Sequence, residues 1–248
     1  MIEKSENKVK WLEFELFANF PRLIHRVFLR HGGVSQGSLA SLNIGIKHDL
    51  SENVEENRRR IARQCRLEQM IFPIQIHSDL VKEIHQVPIE RPQCDGLITN
   101  LPRMGLSIAH ADCQAAIFYD PVHHVLANVH CGWRGNVADI YKKTIERMQI
   151  NYHTDPKDLH VCISPSLCPE RAEFINYRTE FPESFWQFQY KPNYFDLWAL
   201  SEWQLLEAGM LPNHIQIARI STWANPKDYY SYRRDKNTGS HATVAALL

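Results

Sequence analysis

Asp95 to Gly135 reads DGLITNLPRMGLSIAHADCQAAIFYDPVHHVLANVHCGWRG. Gly105 to Ala109 and Ala115 to Tyr119 are short apolar runs on either side of Asp112-Cys113, and Val125 to His130 is a third. Runs of this length bounded by turn residues predict strands. Asp120-Pro121-Val122 supplies a turn, so the second and third are expected to pair as a hairpin. Side chains alternate along a strand, so His130 and Cys131 should face opposite ways, one into a site and one into packing. Asp112, Cys113 and His130 thus fall at strand ends beside the turn Gly132-Trp133-Arg134-Gly135, as in a site held on a rigid sheet.

Upstream, Trp11 to Phe17 alternates as a strand does, and His25 to Arg30 is a second strand entering the glycine-rich loop His31 to Gly37. Glycines there permit a close backbone approach, but no Gly-Lys-Ser/Thr follows, so the loop is not a nucleotide-binding P-loop. Ser51 is placed to cap a helix with Glu52, Glu55 and Glu56 in its first turns. Arg58 to Arg60 and Arg63 read as its solvated face. Phe72 to Ile76 predicts a strand delivering His77, and Leu80 to Ile84 another.

Downstream, Asn136 is expected to cap a helix reaching about Ile150. Leu159 to Ile163 reads as a strand, Asp196 to Ala208 as a helix stopped by Gly209, and His214 to Ile220 and His241 to Leu248 as strands. No repeat, linker or composition break interrupts the chain. The expectation is a single α+β domain over residues 1–248.

The 248 residues are 44% hydrophobic, enough for a substantial core. Formal net charge is zero, so no global field draws the chain to nucleic acid or an anionic membrane. No run approaches the roughly 18 apolar residues of a membrane helix. The first residues lack the apolar stretch of a signal peptide. The expectation is a cytoplasmic protein whose six cysteines are reduced; none forms a CxxC pair.

His77, Cys113 and His130 suit a catalytic zinc site, with one thiolate, two imidazoles and a position left to water. Ligands from three separate strands carry no short-motif signature, so the spacing alone decides nothing. A metal-free alternative makes Cys113 a nucleophile, His130 its base and Asp112 an orienting acid, with Cys131 a competing thiol. Arg134 or Arg234 could hold a phosphate through the guanidinium fork.

Longer motifs then occur in a fixed order: RHGGVSQGSLASLNIG at Arg30 to Gly45, Asn57-Arg58, Gln75-Ile76-His77, DGLIT from Asp95, Ala111-Asp112-Cys113, HCGWRG from His130, Pro165-Ser166, SYRR from Ser231 and Thr238-Gly239. Together they resemble the laccase-domain, or polyphenol oxidase-like, family, described as purine nucleoside phosphorylases with adenosine deaminase activity. The resemblance runs from about Phe28 to the C-terminus. It implies a layered sandwich with mixed sheets in the middle flanked by helices, and zinc ligands at His77, Cys113 and His130. It also implies phosphorolysis of adenosine, inosine, guanosine and methylthioadenosine, and deamination of adenosine. Arg30, Asn43, Arg134 and Arg234 are its candidate substrate-binding residues. Asp112 is a candidate proton shuttle, and Gly32-Gly33 and Trp133-Arg134 are expected to close round the nucleoside. The sequence departs from the family pattern at Cys131, Ser164, Ser221 and Ser240, where the pattern has alanine, glycine, cysteine and arginine. None of these removes a proposed ligand. Multicopper oxidation needs many paired histidines, and the 13 histidines here include no His-x-His. Thiolate and imidazole donors would nonetheless bind copper in vitro.

Overall fold

The computed structural model describes all 248 residues. In chain order its strands begin with β1 (Ile2–Glu6), β2 (Val9–Glu13), β3 (Leu23–Phe28), β4 (Gln69–Ile71), β5 (Val81–Glu83), β6 (Gly96–Thr99) and β7 (Met104–His110). They continue with β8 (Gln114–Asp120), β9 (Val125–Cys131), β10 (His160–Ile163), β11 (Gln189–Lys191), β12 (Tyr194–Phe195), β13 (Ile215–Ile217) and β14 (His241–Leu247). The helices are α1 (Ser51–Cys65), α2 (Trp133–Val137), α3 (Ile140–Tyr152), α4 (Tyr177–Glu180), α5 (Leu197–Glu207) and α6 (Tyr232–Asp235).

Two six-stranded mixed sheets carry the fold, in the orders β1-β2-β3-β14-β7-β4 and β13-β10-β8-β9-β6-β5. The faces between them share one core. Leu12, Val27, Leu106 and Ala245 of the first sheet meet Leu97, Ile117, Leu126 and Cys162 of the second. On the outer face of the first sheet, Trp11, Phe28 and Val244 pack against Ile61 and Cys65 of α1. Phe118, Val129 and Ile163 of the second pack against Tyr141, Ile145 and Met148 of α3 and Leu205 of α5. The layers are therefore helix, sheet, sheet, helix. Strands covered on both faces read as continuous apolar runs, which is why β8, β9 and β14 are buried at every residue. Each large apolar side chain so enclosed contributes about 1.5–3 kcal/mol.

The expected hairpin is present, with β8 and β9 antiparallel from Gln114↔Cys131 to Asp120↔Val125. β7 and β8, however, belong to different sheets, so Ala111-Asp112-Cys113 is where the chain crosses between layers. Several expected boundaries shift. Phe72 to Ile76 is not a strand; the strand lies earlier, at β4, paired parallel to β7. Asn136 does not cap the following helix; Asp139 does, accepting the Lys142 N–H, and the chain bends between α2 and α3. Ser51 is the first residue of α1, with Leu50 at the cap position. The N-terminal strand is β2, paired in a hairpin with the exposed β1.

Candidate metal centre and cleft

Three chain segments converge on the crossing point. Cys113 follows the crossing itself, His130 is the penultimate residue of β9, and His77 comes from the loop between β4 and β5. Their ligand atoms all lie within 4.8 Å of one another. The two imidazole rings stand 4.9 Å apart, centroid to centroid, and nearly perpendicular at 86°. His130 is buried, Cys113 half-buried and His77 exposed, so the cluster opens on one side.

Asp95, fully buried, builds this geometry. Its carboxylate faces His130 Nδ1 at 2.9 Å and accepts the backbone N–H of His77 at 3.0 Å and of Ser78 at 2.7 Å, plus the Ser78 hydroxyl at 2.8 Å. Holding Nδ1 leaves His130 Nε2 to face the cluster. The same bonds fix a tight loop in which His77 takes the left-handed conformation, φ 58°. Burial would raise the Asp95 pKa, but the hydrogen bonds from His130 and Ser78 hold it at about 2. Burial would likewise raise the Cys113 thiol, yet the charges and hydrogen bonds of His130 and His77 bring it well below its ordinary value. Burial would lower the His130 pKa, but the Cys113 thiolate and Asp95 raise it. That field favours a cation at the centre of the cluster. One thiolate and two imidazoles, with no fourth Asp, Glu, His or Cys joining them, fit an open zinc site.

Cys131 points the other way. It belongs to the outer core with Tyr141 and Ile145, and burial pushes its thiol far up, so it stays protonated. Gly132 packs closely on the cluster: a Cβ there would stand 3.0 Å from Cys113 Sγ, so the thiol would have to shift.

A cleft of two lobes meets at Cys113. The first lobe, ≈ 440 Å³, has Trp133 and Phe174 in its wall with Asp112, Glu173 and Glu180. The second, ≈ 580 Å³, contains His77 and His130 with Arg58 and Arg91. Ala111, Cys113, Tyr232 and Lys236 line both.

The other expected site residues take different places. Asp112 sits at φ 87° and accepts from Thr222 Oγ1 at 2.6 Å, Ser231 Oγ at 3.0 Å and the Arg233 N–H at 2.6 Å. With its carboxylate so occupied, it clamps the α6 turn to the sheet crossing; the acid that orients His130 is Asp95, not Asp112. None of Arg30, Asn43, Arg134 and Arg234 lines either lobe. Arg30 donates to the carbonyls of Ala40 and Pro226 and covers the Tyr230 ring. Asn43 is buried, bonded to Gly45, Asp49 and Ser240. Arg234 donates to the carbonyls of Thr222, Trp223 and Tyr229. Arg134 is exposed, stacked over Trp133. Gly32 and Gly33 also lie outside the cleft; a Cβ on Gly33 would collide with Ser41 and Leu42.

Sequence reasoning missed Asp95 and Arg58 as site residues. For Arg58 a signal existed: it lies four residues after Val54 and three before Ile61, both buried on α1, so it shares their face. Asp95 heads the DGLIT motif, but nothing in that motif ties it to His130.

Among curated proteins, the chain is 28% identical over 255 residues to a purine nucleoside phosphorylase of Bacteroides thetaiotaomicron, covering 94% of each. It is 30% identical to a purine nucleoside phosphorylase of Deinococcus radiodurans, covering 90% of this chain and 88% of the relative. Its fold matches the crystal structure of YlmD from Geobacillus stearothermophilus with a TM-score of 0.87, at 24% identity over 98% of this chain and 97% of that one. The family model described as multi-copper polyphenol oxidoreductase laccase matches residues 24–248, and the chain belongs to that family.

Proposed function

We propose that this chain is a zinc-dependent purine nucleoside phosphorylase that also deaminates adenosine, taking adenosine, inosine, guanosine and methylthioadenosine as substrates in the cytoplasm. The relatives named for phosphorolysis cover nearly the whole chain and support the reaction class. The observation that carries the reading is the cleft. Phosphorolysis needs a purine nucleoside and a phosphate side by side, and two lobes of unlike character meet at Cys113.

In the reaction, a phosphate oxygen forms a bond to the anomeric carbon of ribose as the bond from that carbon to purine N9 breaks. The electron pair leaves with the purine, which takes up a proton; free base and ribose 1-phosphate are the products. Trp133 and Phe174 offer apolar ring surface to a purine. Asp112 keeps the α6 turn against both lobes, holding reactants in register. His77, Cys113 and His130 would hold the metal, which supplies Lewis acidity for polarising an oxygen and, for deamination, for activating water. In deamination, water adds at the purine carbon bearing the amino group and ammonia departs. Multi-copper oxidation is disfavoured. A multi-copper centre needs ligands for several ions, and the chain holds one cluster of three.

A second reading rests on the chain Asp95–His130–Cys113, which matches a metal-free cysteine hydrolase in order and contact. Incubation with inosine separates the two. The phosphorylase releases hypoxanthine only when phosphate is present; release without phosphate, or none at all, rejects that assignment.

A further inference from the structure

The two lobes differ in charge. The first contains three carboxylates, Asp112, Glu173 and Glu180, against the cations Arg233 and Lys236. The second contains Lys47, Arg58, Arg91 and Lys236 and no carboxylate at all. In a chain of zero net charge, such one-sided lining is an electrostatic trap for an anion.

Arg58 and Arg91 form its centre. Every other arginine from Arg59 to Arg63 ion-pairs with Glu56, while neither Arg58 nor Arg91 has an acidic partner. Both are anchored on carbonyls instead. Arg58 donates to Ile44 and lies over the Phe72 ring, and Arg91 donates to Phe72 and Pro73. These anchors set two guanidinium groups on the same short segment, where each repels the other's charge. An oxyanion between them would relieve that repulsion and take charge-assisted hydrogen bonds from both.

Unpartnered polar atoms converge on the same lobe. Of the ten buried side-chain nitrogen and oxygen atoms without a hydrogen-bond partner in the whole chain, four belong to residues lining it: Arg58 Nε, Ser107 Oγ, His110 Nδ1 and Thr238 Oγ1. Ser107 and His110 are 1% and 3% exposed. Buried polar groups are ordinarily satisfied, so a concentration of orphans marks a place where a polar ligand belongs.

We infer that the second lobe is the phosphate subsite, with Arg58 and Arg91 binding the phosphate oxygens beside His77. The assignment rests on the phosphorylase reading and deepens it. It leaves the first lobe, with its aromatic wall, to the purine.

The test uses the zinc-loaded full-length protein, with inorganic phosphate as probe, measured by calorimetry and by its KM in inosine phosphorolysis. Arg91 is anchored at the surface, so Arg91→Gln keeps the fold; Arg58→Lys is the second variant, its folding checked by circular dichroism. Each is expected to weaken phosphate binding and raise its KM about tenfold or more, with inosine KM changed less than about twofold. Unchanged phosphate affinity in folded Arg91→Gln overturns the inference while leaving the phosphorylase reading intact. Binding of a nucleoside monophosphate but not of free phosphate also overturns it. Phosphate binding that needs Arg91, without any phosphorolysis, keeps the anion subsite and rejects the phosphorylase reading.

Discussion

Asp95 Oδ1 stands 2.9 Å from His130 Nδ1, and the same oxygen accepts the His77 backbone N–H at 3.0 Å. One buried carboxylate thus orients one proposed ligand and places the loop carrying another. Asp95→Asn keeps the shape but turns an acceptor-only group into a mixed one against three backbone N–H groups. Zinc affinity is expected to fall about 10–100-fold, and stability by about 1–3 kcal/mol. Chelator competition and urea denaturation measure the two; unchanged zinc affinity contradicts the role given to Asp95.

The two adjacent chemistries of β9 and the crossing should separate cleanly by mutation. Cys113→Ala removes the only sulfur in the cluster and is expected to abolish stoichiometric zinc binding and nucleoside turnover. Cys131→Ala is expected to keep both, costing about 1 kcal/mol of stability from the outer core. Metal analysis of the two purified variants decides it, and zinc loss in Cys131→Ala would reverse the assignment.

Gly132→Ala tests the tightness of the centre. The added methyl would stand 3.0 Å from Cys113 Sγ, so the thiol must give way slightly, while His77 Cδ2 at 3.9 Å stays in ordinary contact. The expected result is a folded protein with zinc affinity lowered about tenfold or more, read by chelator competition.

Acid should weaken the fold through two buried histidines outside the metal cluster. Burial drives the His241 pKa down from 6.5 to about 3, and that of His25 to about 4. His241 Nε2 accepts the Tyr230 N–H at 2.8 Å while Nδ1 donates to the Phe28 carbonyl at 3.0 Å, which fixes the neutral ring. Below the ordinary histidine value of 6.5 the unfolded chain binds these protons and the folded chain does not. Their contribution to stability is therefore full above that value and lost as pH falls through the window towards 4. Urea midpoints are expected to drop from pH 7 to pH 5, with a shallower slope in His241→Gln.

The β8–β9 hairpin was legible because its turn and its apolar runs are local, and alternation alone separated His130 from Cys131. That β7 and β8 enter different sheets was not legible, since a layer change at Ala111-Asp112-Cys113 leaves no local periodicity. The three proposed ligands were found, but their organiser was not: Asp95 lies 35 residues from His130, and only the folded chain brings them together. Arginines misled for a related reason. Arg30 and Arg234 belong to the quoted motifs, yet their guanidinium groups hold backbone carbonyls, while Arg58, in a run that looked solvated, turns inward. The aromatic wall around Phe174, Phe181 and Phe195 comes from a segment of short turns with no single period to read.

X-ray absorption at the zinc edge of the purified, zinc-loaded protein tests the centre most directly. One zinc per chain is expected, bound by one sulfur and two imidazole nitrogens from His77, Cys113 and His130, with a further position filled by a light atom from solvent. A shell of four protein ligands, or a second sulfur from Cys131, contradicts it.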